Sequence, residues 1–110
     1  MKPKSPEPTF AQRVVATLKR VPRGKVVTYG RLAAVAGNPR AARQVVRALY
    51  SYGGKDLPWH RVINGRGAIS LTGAGFAEQK ARLEAEGVIV AADGRVDLGT
   101  FEWRLPGDGV

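Results

Sequence analysis

The run Pro58-Trp59-His60-Arg61-Val62 holds the one histidine of the chain between an indole and a guanidinium, and several glutamates follow further along. A histidine and a glutamate brought within hydrogen-bond reach can relay a proton or activate water. The adjoining Trp59 offers no nucleophile, because an indole has no acidic, polarizable atom comparable with a thiolate. The chain contains no cysteine. Thiol chemistry, disulfides and thiolate metal sites are therefore excluded, and a lone histidine argues against zinc. Neither a metal nor a cofactor is expected. A second group suits other chemistry. Arg40, Arg43 and Arg47, at i, i+3 and i+7, would line one stripe of a helix and could meet phosphates or stack on bases. Taken alone, such a stripe is more often a solvated helix face than a reading head.

Charge favours the phosphate reading. The formal net charge is +9 over 110 residues. From Pro8 to Lys55 there are ten lysines and arginines and no acid, whereas from Asp56 onward six face eight acids. A basic half beside a near-neutral half is the electrostatic footprint of a polyanion binder. At 44% hydrophobic, the chain suits one small domain with a modest core, expected over residues 9–105. Three prolines among residues 1–8 predict an extended, disordered tail, and 106–110 should be a flexible end. No apolar run approaches the ~20 residues of a membrane span, and the N-terminus lacks a signal-peptide core. A soluble, cytoplasmic monomer is the expectation, nucleoid-associated if the source is bacterial.

The elements that must position these residues are legible in outline. Thr9 caps a helix over about Phe10–Arg20, with Gln12 completing a capping box, and Phe10, Val14, Leu18 and Val21 fall on one face. After the Pro22-Arg23-Gly24 turn and an extended Lys25-Val26-Val27, Thr28 caps a second helix over about Tyr29–Ala36 that Gly37 stops. Asn38 as N-cap and Pro39 at the first position predict a third helix to Tyr50, with Ala42, Val45, Val46 and Leu49 opposite the arginines. Two short helices joined by Gly37-Asn38, the second rich in arginine, match a helix-turn-helix, although any helical hairpin with a basic face looks similar. Ser51–Leu57 and Thr72–Gly75 read as loops, Ala68–Leu71 as a brief extended run, and Phe76–Glu86 as a helix stopped by Gly87. Val88–Val90 and Arg95–Leu98 suggest a hairpin turning at Asp93-Gly94, and Trp103 is assigned to the core.

Four ordered blocks of the chain resemble the DNA-binding domain of the O6-alkylguanine-DNA alkyltransferases. Pro22 to Gly30 resembles that family's Pro-x-Gly-x-Val-x-Thr-Tyr-Gly, and Ala42-Arg43-Gln44-Val45 its Ala-Arg-x-Val. Pro58 to Val62 resembles the active-site Pro-Cys-His-Arg-Val with tryptophan in place of cysteine, and Lys80 to Gly87 the closing Lys-x-x-Leu-x-x-Glu-Gly. The likeness spans about Phe10 to Gly87. With Trp59 at the cysteine position, Val-Ile-Asn following and a short tail near Phe101-Glu102-Trp103, the chain is similar to the alkyltransferase-like proteins. These are non-enzymatic relatives that bind O6-alkylguanine in DNA and are linked to nucleotide excision repair. The departures are Val46 for a glycine, Ser51-Tyr52-Gly53-Gly54 for an Asn-Pro loop, and Thr72 for a pocket tyrosine.

The resemblance implies a mainly helical fold with short strands, a winged-helix-like helix-turn-helix domain like the alkyltransferase C-terminal DNA-binding domain. It implies binding to duplex DNA through the minor groove and flipping of the damaged nucleotide without alkyl transfer, so no residue is catalytic. Arg43 would fill the vacated stack with Arg40 and Arg47 beside it, and Tyr29 would contact the phosphate and line the pocket. Trp59, the backbone of Val62, Thr72 and Gly73 would complete the lesion pocket. His60 and Glu86 would be a relay with nothing to activate, and Arg61 and Asn64 would brace the loop. The implied partners are duplex DNA with O6-alkylguanine and nucleotide excision repair proteins. Two other readings stay open: a winged-helix regulator indifferent to damage, and a hydrolase using His60 and Glu86 to activate water.

Overall fold

Local signals set the first half of the fold. In the computed structural model, which describes residues 7–52 and 56–105, α1 runs Phe10–Leu18. Its capping box is complete. Thr9 Oγ1 accepts from the Gln12 N–H at 3.1 Å, and Gln12 Oε1 accepts from the Thr9 N–H at 2.8 Å. Val14, Leu18 and Val21 are fully buried and Phe10 packs against the same core. β1 is Val27–Thr28, and α2 follows over Tyr29–Val35 with the Thr28 hydroxyl accepting from the Arg31 N–H. Gly37, at φ 110°, ends this helix in a conformation that L side chains rarely adopt. Arg13 then closes it, its Nε donating to the Ala36 carbonyl at 2.6 Å.

The third helix, α3, runs Ala42–Ser51, three residues later than expected. Asn38 does not cap it. The Asn38 side chain accepts from the Arg40 N–H at 3.1 Å and its carbonyl from the Ala41 N–H at 3.1 Å. A local turn has captured the groups that would have started a helix. Arg40 therefore sits in the turn and not on the helical stripe. Val46 is also displaced from its expected place. At about 100° per residue it lies nearer Arg43 than Val45, and it is 38% exposed while Val45 and Ala48 are buried.

The second half begins with a 3₁₀ turn over Trp59–Arg61 leading into β2, Val62–Ile63, which pairs in parallel with β1 as Val27 with Val62 and Thr28 with Ile63. On the other side of this pair the Val26 N–H donates to the Phe101 carbonyl, and the Val26 carbonyl accepts from the Trp103 N–H at 2.8 Å. α4 spans Gly73–Ala85, so the expected Thr72–Gly75 loop is instead the N-cap and first turn of this helix. The expected hairpin exists as a single antiparallel bridge, Val90 to Val96, and a second bridge, Ala68 to Arg95, joins it to the expected Ala68–Leu71 run. Gly94 at its turn approaches Phe76 so closely that a Cβ would lie 2.7 Å from the ring. Leu98 leaves the hairpin and opens a short helix, α5, Leu98–Phe101, capped by Asp97.

Two cores result. Val14, Leu18, Leu32, Val45 and Trp103 knit α1, α2 and α3 into one, and Val26, Ile63, Leu83, Val88 and Val96 form the other under α4. The fold is mainly helical with a short two-stranded sheet, α2 and α3 forming the helix-turn-helix and the antiparallel bridges a small wing. The tail expected over 1–8, apart from Glu7 and Pro8, and the end expected over 106–110 lie outside the described residues. Among the described residues no helix is long and apolar enough to cross a membrane.

Candidate nucleic-acid interface

One face of α3 is left to solvent. Arg43, Val46, Arg47 and Tyr50 follow one another at i, i+3, i+4 and i+7, all exposed, Tyr50 to 79%. Arg40 precedes them in the turn. Among the described residues none of these three arginines enters an ion pair, whereas several other cations of the basic half are committed to the fold. Arg13 closes α2, Arg23 donates to the Ala85 carbonyl at 2.9 Å, Lys25 to the Thr100 carbonyl at 3.2 Å, and Arg20 lies over the Trp103 ring. Charge counting therefore overstated the cations available to a ligand and could not say which ones remained.

Beside this face opens a cavity of about 490 Å³, within the ~300–1,000 Å³ range of small-ligand pockets. Tyr29 at the start of α2, Val46, Leu49 and Tyr50 of α3, Trp59 of the 3₁₀ turn, and Ser70 and Leu71 before α4 line it. Tyr29 and Trp59, far apart in sequence, thus meet across one space. Burial raises the Tyr29 phenol above its ordinary pKa of 10.0; a hydrogen bond with Ser70 works the other way, and neighbouring Tyr50 adds to the rise. The phenol stays protonated and able to donate. Three other residues expected here lie elsewhere. The Val62 side chain points into the core as part of β2, and its carbonyl accepts from Gln79 Nε2 at 2.8 Å. Thr72 and Gly73 are exposed at the start of α4, outside the lining, because the helix begins there.

Behind Trp59 lies a polar cluster. His60, 8% exposed, places Nε2 2.8 Å from Glu86 Oε2. Arg61 grips the same carboxylate with two donors, Nε to Oε1 at 2.9 Å and a terminal nitrogen to Oε2 at 2.7 Å, while its other terminal nitrogen donates to the Val21 carbonyl. Burial opposes the charge on Glu86, but Arg61, His60 and the Gly24 N–H together outweigh it and hold the carboxyl at about 2. An ionised carboxylate only accepts, so His60 Nε2 carries the proton of this bond. His60 Nδ1 is buried with no partner among the described residues. Asn64 folds its own loop, its side chain accepting from the N–H groups of Arg66 and Ala68.

Gln79 is the residue behind the Trp59 turn that sequence reasoning missed. It is 3% exposed and donates from Nε2 to the His60 and Val62 carbonyls at 3.0 and 2.8 Å, clamping the middle of the 3₁₀ turn and the start of β2 to α4. Its signal was present: an amide four residues before Leu83, on the helix face that must be buried. Among the described residues no cluster of three or more potential ligands could hold a metal.

Comparison with known proteins places this geometry. Residues 9–88 match the family described as the 6-O-methylguanine DNA methyltransferase DNA-binding domain. The chain is similar to the DNA base-flipping protein of Escherichia coli K12, 48% identical over 99 residues that make up 89% of this chain and 77% of that one. It is also similar to alkyltransferase-like protein 1 of Schizosaccharomyces pombe, 42% identical over 100 residues, 88% of this chain and 90% of that one. The crystal structure of that protein in complex with damaged DNA containing O6-carboxymethylguanine superposes with a TM-score of 0.77, covering 87% of this chain and 95% of the other at 40% identity. With a DNA-binding domain matched over most of its length and tryptophan at the position of the missing cysteine, this chain belongs to the 6-O-methylguanine DNA methyltransferase DNA-binding-domain family, among relatives named base-flipping and alkyltransferase-like proteins.

Proposed function

We infer that this protein binds duplex DNA carrying an O6-alkylguanine, rotates the damaged nucleotide into the Tyr29–Trp59 cavity, and holds it there without alkyl transfer. The observation that carries this reading is the adjacency of that aromatic cavity to the exposed arginines of α3. Extruding a base costs a few kcal/mol in unstacking and unpairing, least when the base is damaged. Arg43 offsets that cost by stacking in the vacated space. Its planar guanidinium suits the task better than an ammonium would. Arg40 and Arg47 hold the flanking phosphates, and Tyr29 donates to the phosphate at the rotated nucleotide. Trp59 and Leu71 give the alkylated edge of the base an apolar wall.

Chemistry ends there. Trp59 offers no nucleophile to accept an alkyl group from the base, and the Glu86 carboxylate, held at about 2 and gripped by Arg61, is too weak a base to activate water. The His60–Arg61–Glu86 cluster therefore acts as support for the loop. A bound, unrepaired lesion is a marker, and we assign its reading to nucleotide excision repair proteins, with the protein acting as a monomer in the cytoplasm, at the nucleoid in a bacterium.

The test is a paired titration with two short duplexes, identical except for one O6-methylguanine, at physiological salt. Tighter binding to the lesion duplex with a change in tryptophan fluorescence is the expected result. Equal affinities would reduce the protein to a general DNA-binding module. Intact-mass spectrometry after prolonged incubation should find no alkyl adduct, and the lesion oligonucleotide should be recovered unchanged.

A further inference from the structure

Trp59 lines the cavity shared with Tyr29 and Leu71, while its chain neighbours Pro58, His60 and Arg61 line a second cleft together with Lys19, Asp56 and Arg82. The Arg82 guanidinium lies 5.6 Å from the Trp59 ring centroid and takes no part in lining the cavity. One helical turn earlier on α4, Glu78 accepts a hydrogen bond from Arg82 Nε at 3.0 Å. Both side chains are about half exposed, at 52% and 53%. An ion pair so placed adds little to stability. What it does is fix where the guanidinium sits.

We propose that Arg82, held by Glu78, is a specificity-determining positioning residue that backs the Trp59 indole from the side away from the cavity and presents the opposite ring face to the flipped base. This rests on the reading that the cavity receives a base. The attraction between a cation and the negative face of an indole orients the ring, and it is strongest for tryptophan among the aromatic side chains. The cation also draws π-density toward itself. The face left to the cavity becomes less electron-rich and so a better stacking partner for an electron-rich purine. Arg82 thus acts on the lesion through Trp59 without touching it.

The experiment compares the full chain with Arg82→Met, Arg82→Lys and Glu78→Gln in the same paired titration. It also follows both indoles by fluorine NMR after 5-fluorotryptophan labelling, the Trp59 resonance being assigned with Trp59→Phe. Loss of one cation weakens both duplexes alike through the phosphates, so the ratio of the two affinities is the diagnostic quantity. Arg82→Met should lower that ratio about two- to fivefold and shift the Trp59 resonance of the free protein. Arg82→Lys should restore part of the ratio, and Glu78→Gln should fall between Arg82→Met and the parent. An unchanged ratio for Arg82→Met in a protein that otherwise discriminates would overturn the proposal, as would equal losses on both duplexes. If the parent protein itself fails to discriminate, the base-binding reading falls. In that case a Trp59 resonance unmoved by Arg82→Met would sink the brace as well, and a shifted one would uphold it.

Discussion

Arg61 and Arg43 are the same side chain in opposite circumstances. Arg61 spends its donors on Glu86 and the Val21 carbonyl within a cluster that also takes in His60 and the Gly24 N–H, and it is mostly shielded from water. Arg43 stands exposed on α3 beside Val46, Arg47 and Tyr50, with no acid paired to it among the described residues. A charge bonded on every side has been used by the fold. A charge held out on a rigid helix next to an exposed tyrosine has been left for something else. The motif that suggests chemistry is thus divided: His60 and Arg61 are bound up with Glu86 in the fold, and Trp59 lines the cavity beside the exposed face of α3.

The contrast can be broken most forcefully at Glu86. Glu86→Ala leaves Arg61 without its partner, and removing one member of a buried pair costs about 3–5 kcal/mol, read as a fall in urea midpoint. The folded fraction should still prefer the lesion duplex. The acid limb of stability tests the same residue. Its carboxyl is held at about 2, below the ordinary 4.5. A depressed carboxyl stabilises the fold fully above the unfolded value and loses that contribution as pH falls through the folded one. Stability should therefore decline between pH 4.5 and about 2 in the parent and be nearly flat across that window in Glu86→Gln. A Glu86→Gln protein with the parent's acid profile would place the titrating group elsewhere.

Arg43→Ala should do the reverse. Losing a desolvated stacking cation is worth about 2 kcal/mol, roughly thirtyfold in lesion preference, while the unfolding midpoint stays put. Equal losses on damaged and undamaged DNA would make Arg43 a phosphate contact only. Tyr50→Ala, at a side chain 79% exposed, should leave stability within about 0.5 kcal/mol and weaken lesion binding about fivefold, in line with loss of an aromatic stack of about 1 kcal/mol. The smallest effect is expected from Arg47→Ala: a uniform weakening on both duplexes, with the slope of log affinity against log salt reduced by about 0.9.

How much of this was legible in the sequence depended on whether the deciding contact was local. Thr9 and Gln12 announce α1, Thr28 announces α2, and Gly37 stops it, because each signal lies within a few residues of the backbone group it satisfies. The helix-turn-helix followed from the same reasoning, whereas the core place of Trp103 followed only from its size and apolar character. The start of α3 was misread because Asn38 has two uses, cap or turn, and the turn took it. The start of α4 was misread because Gly73-Ala74-Gly75 contains two weak helix formers that read as loop, yet form the first turn of the helix. The membership of the cavity could not be read at all. It depends on which turn of α3 faces outward and on where Ser70 and Leu71 come to rest, and Gln79 clamps a loop nearly twenty positions away.

The parallel pair of β1 and β2 has only two rungs, yet Tyr29 follows directly on Thr28 and Trp59 sits three positions before Val62. The gap between the two aromatic walls is thus gauged by a ladder that joins distant parts of the chain. A slip of one register would turn Val62 and Ile63 over and carry the indole with them. Because such long-range pairing forms only after the entropy of closing the intervening loop has been met, the two aromatic walls face each other only once both parts of the chain are in place. An amide on those rungs should exchange with solvent only when the whole domain opens.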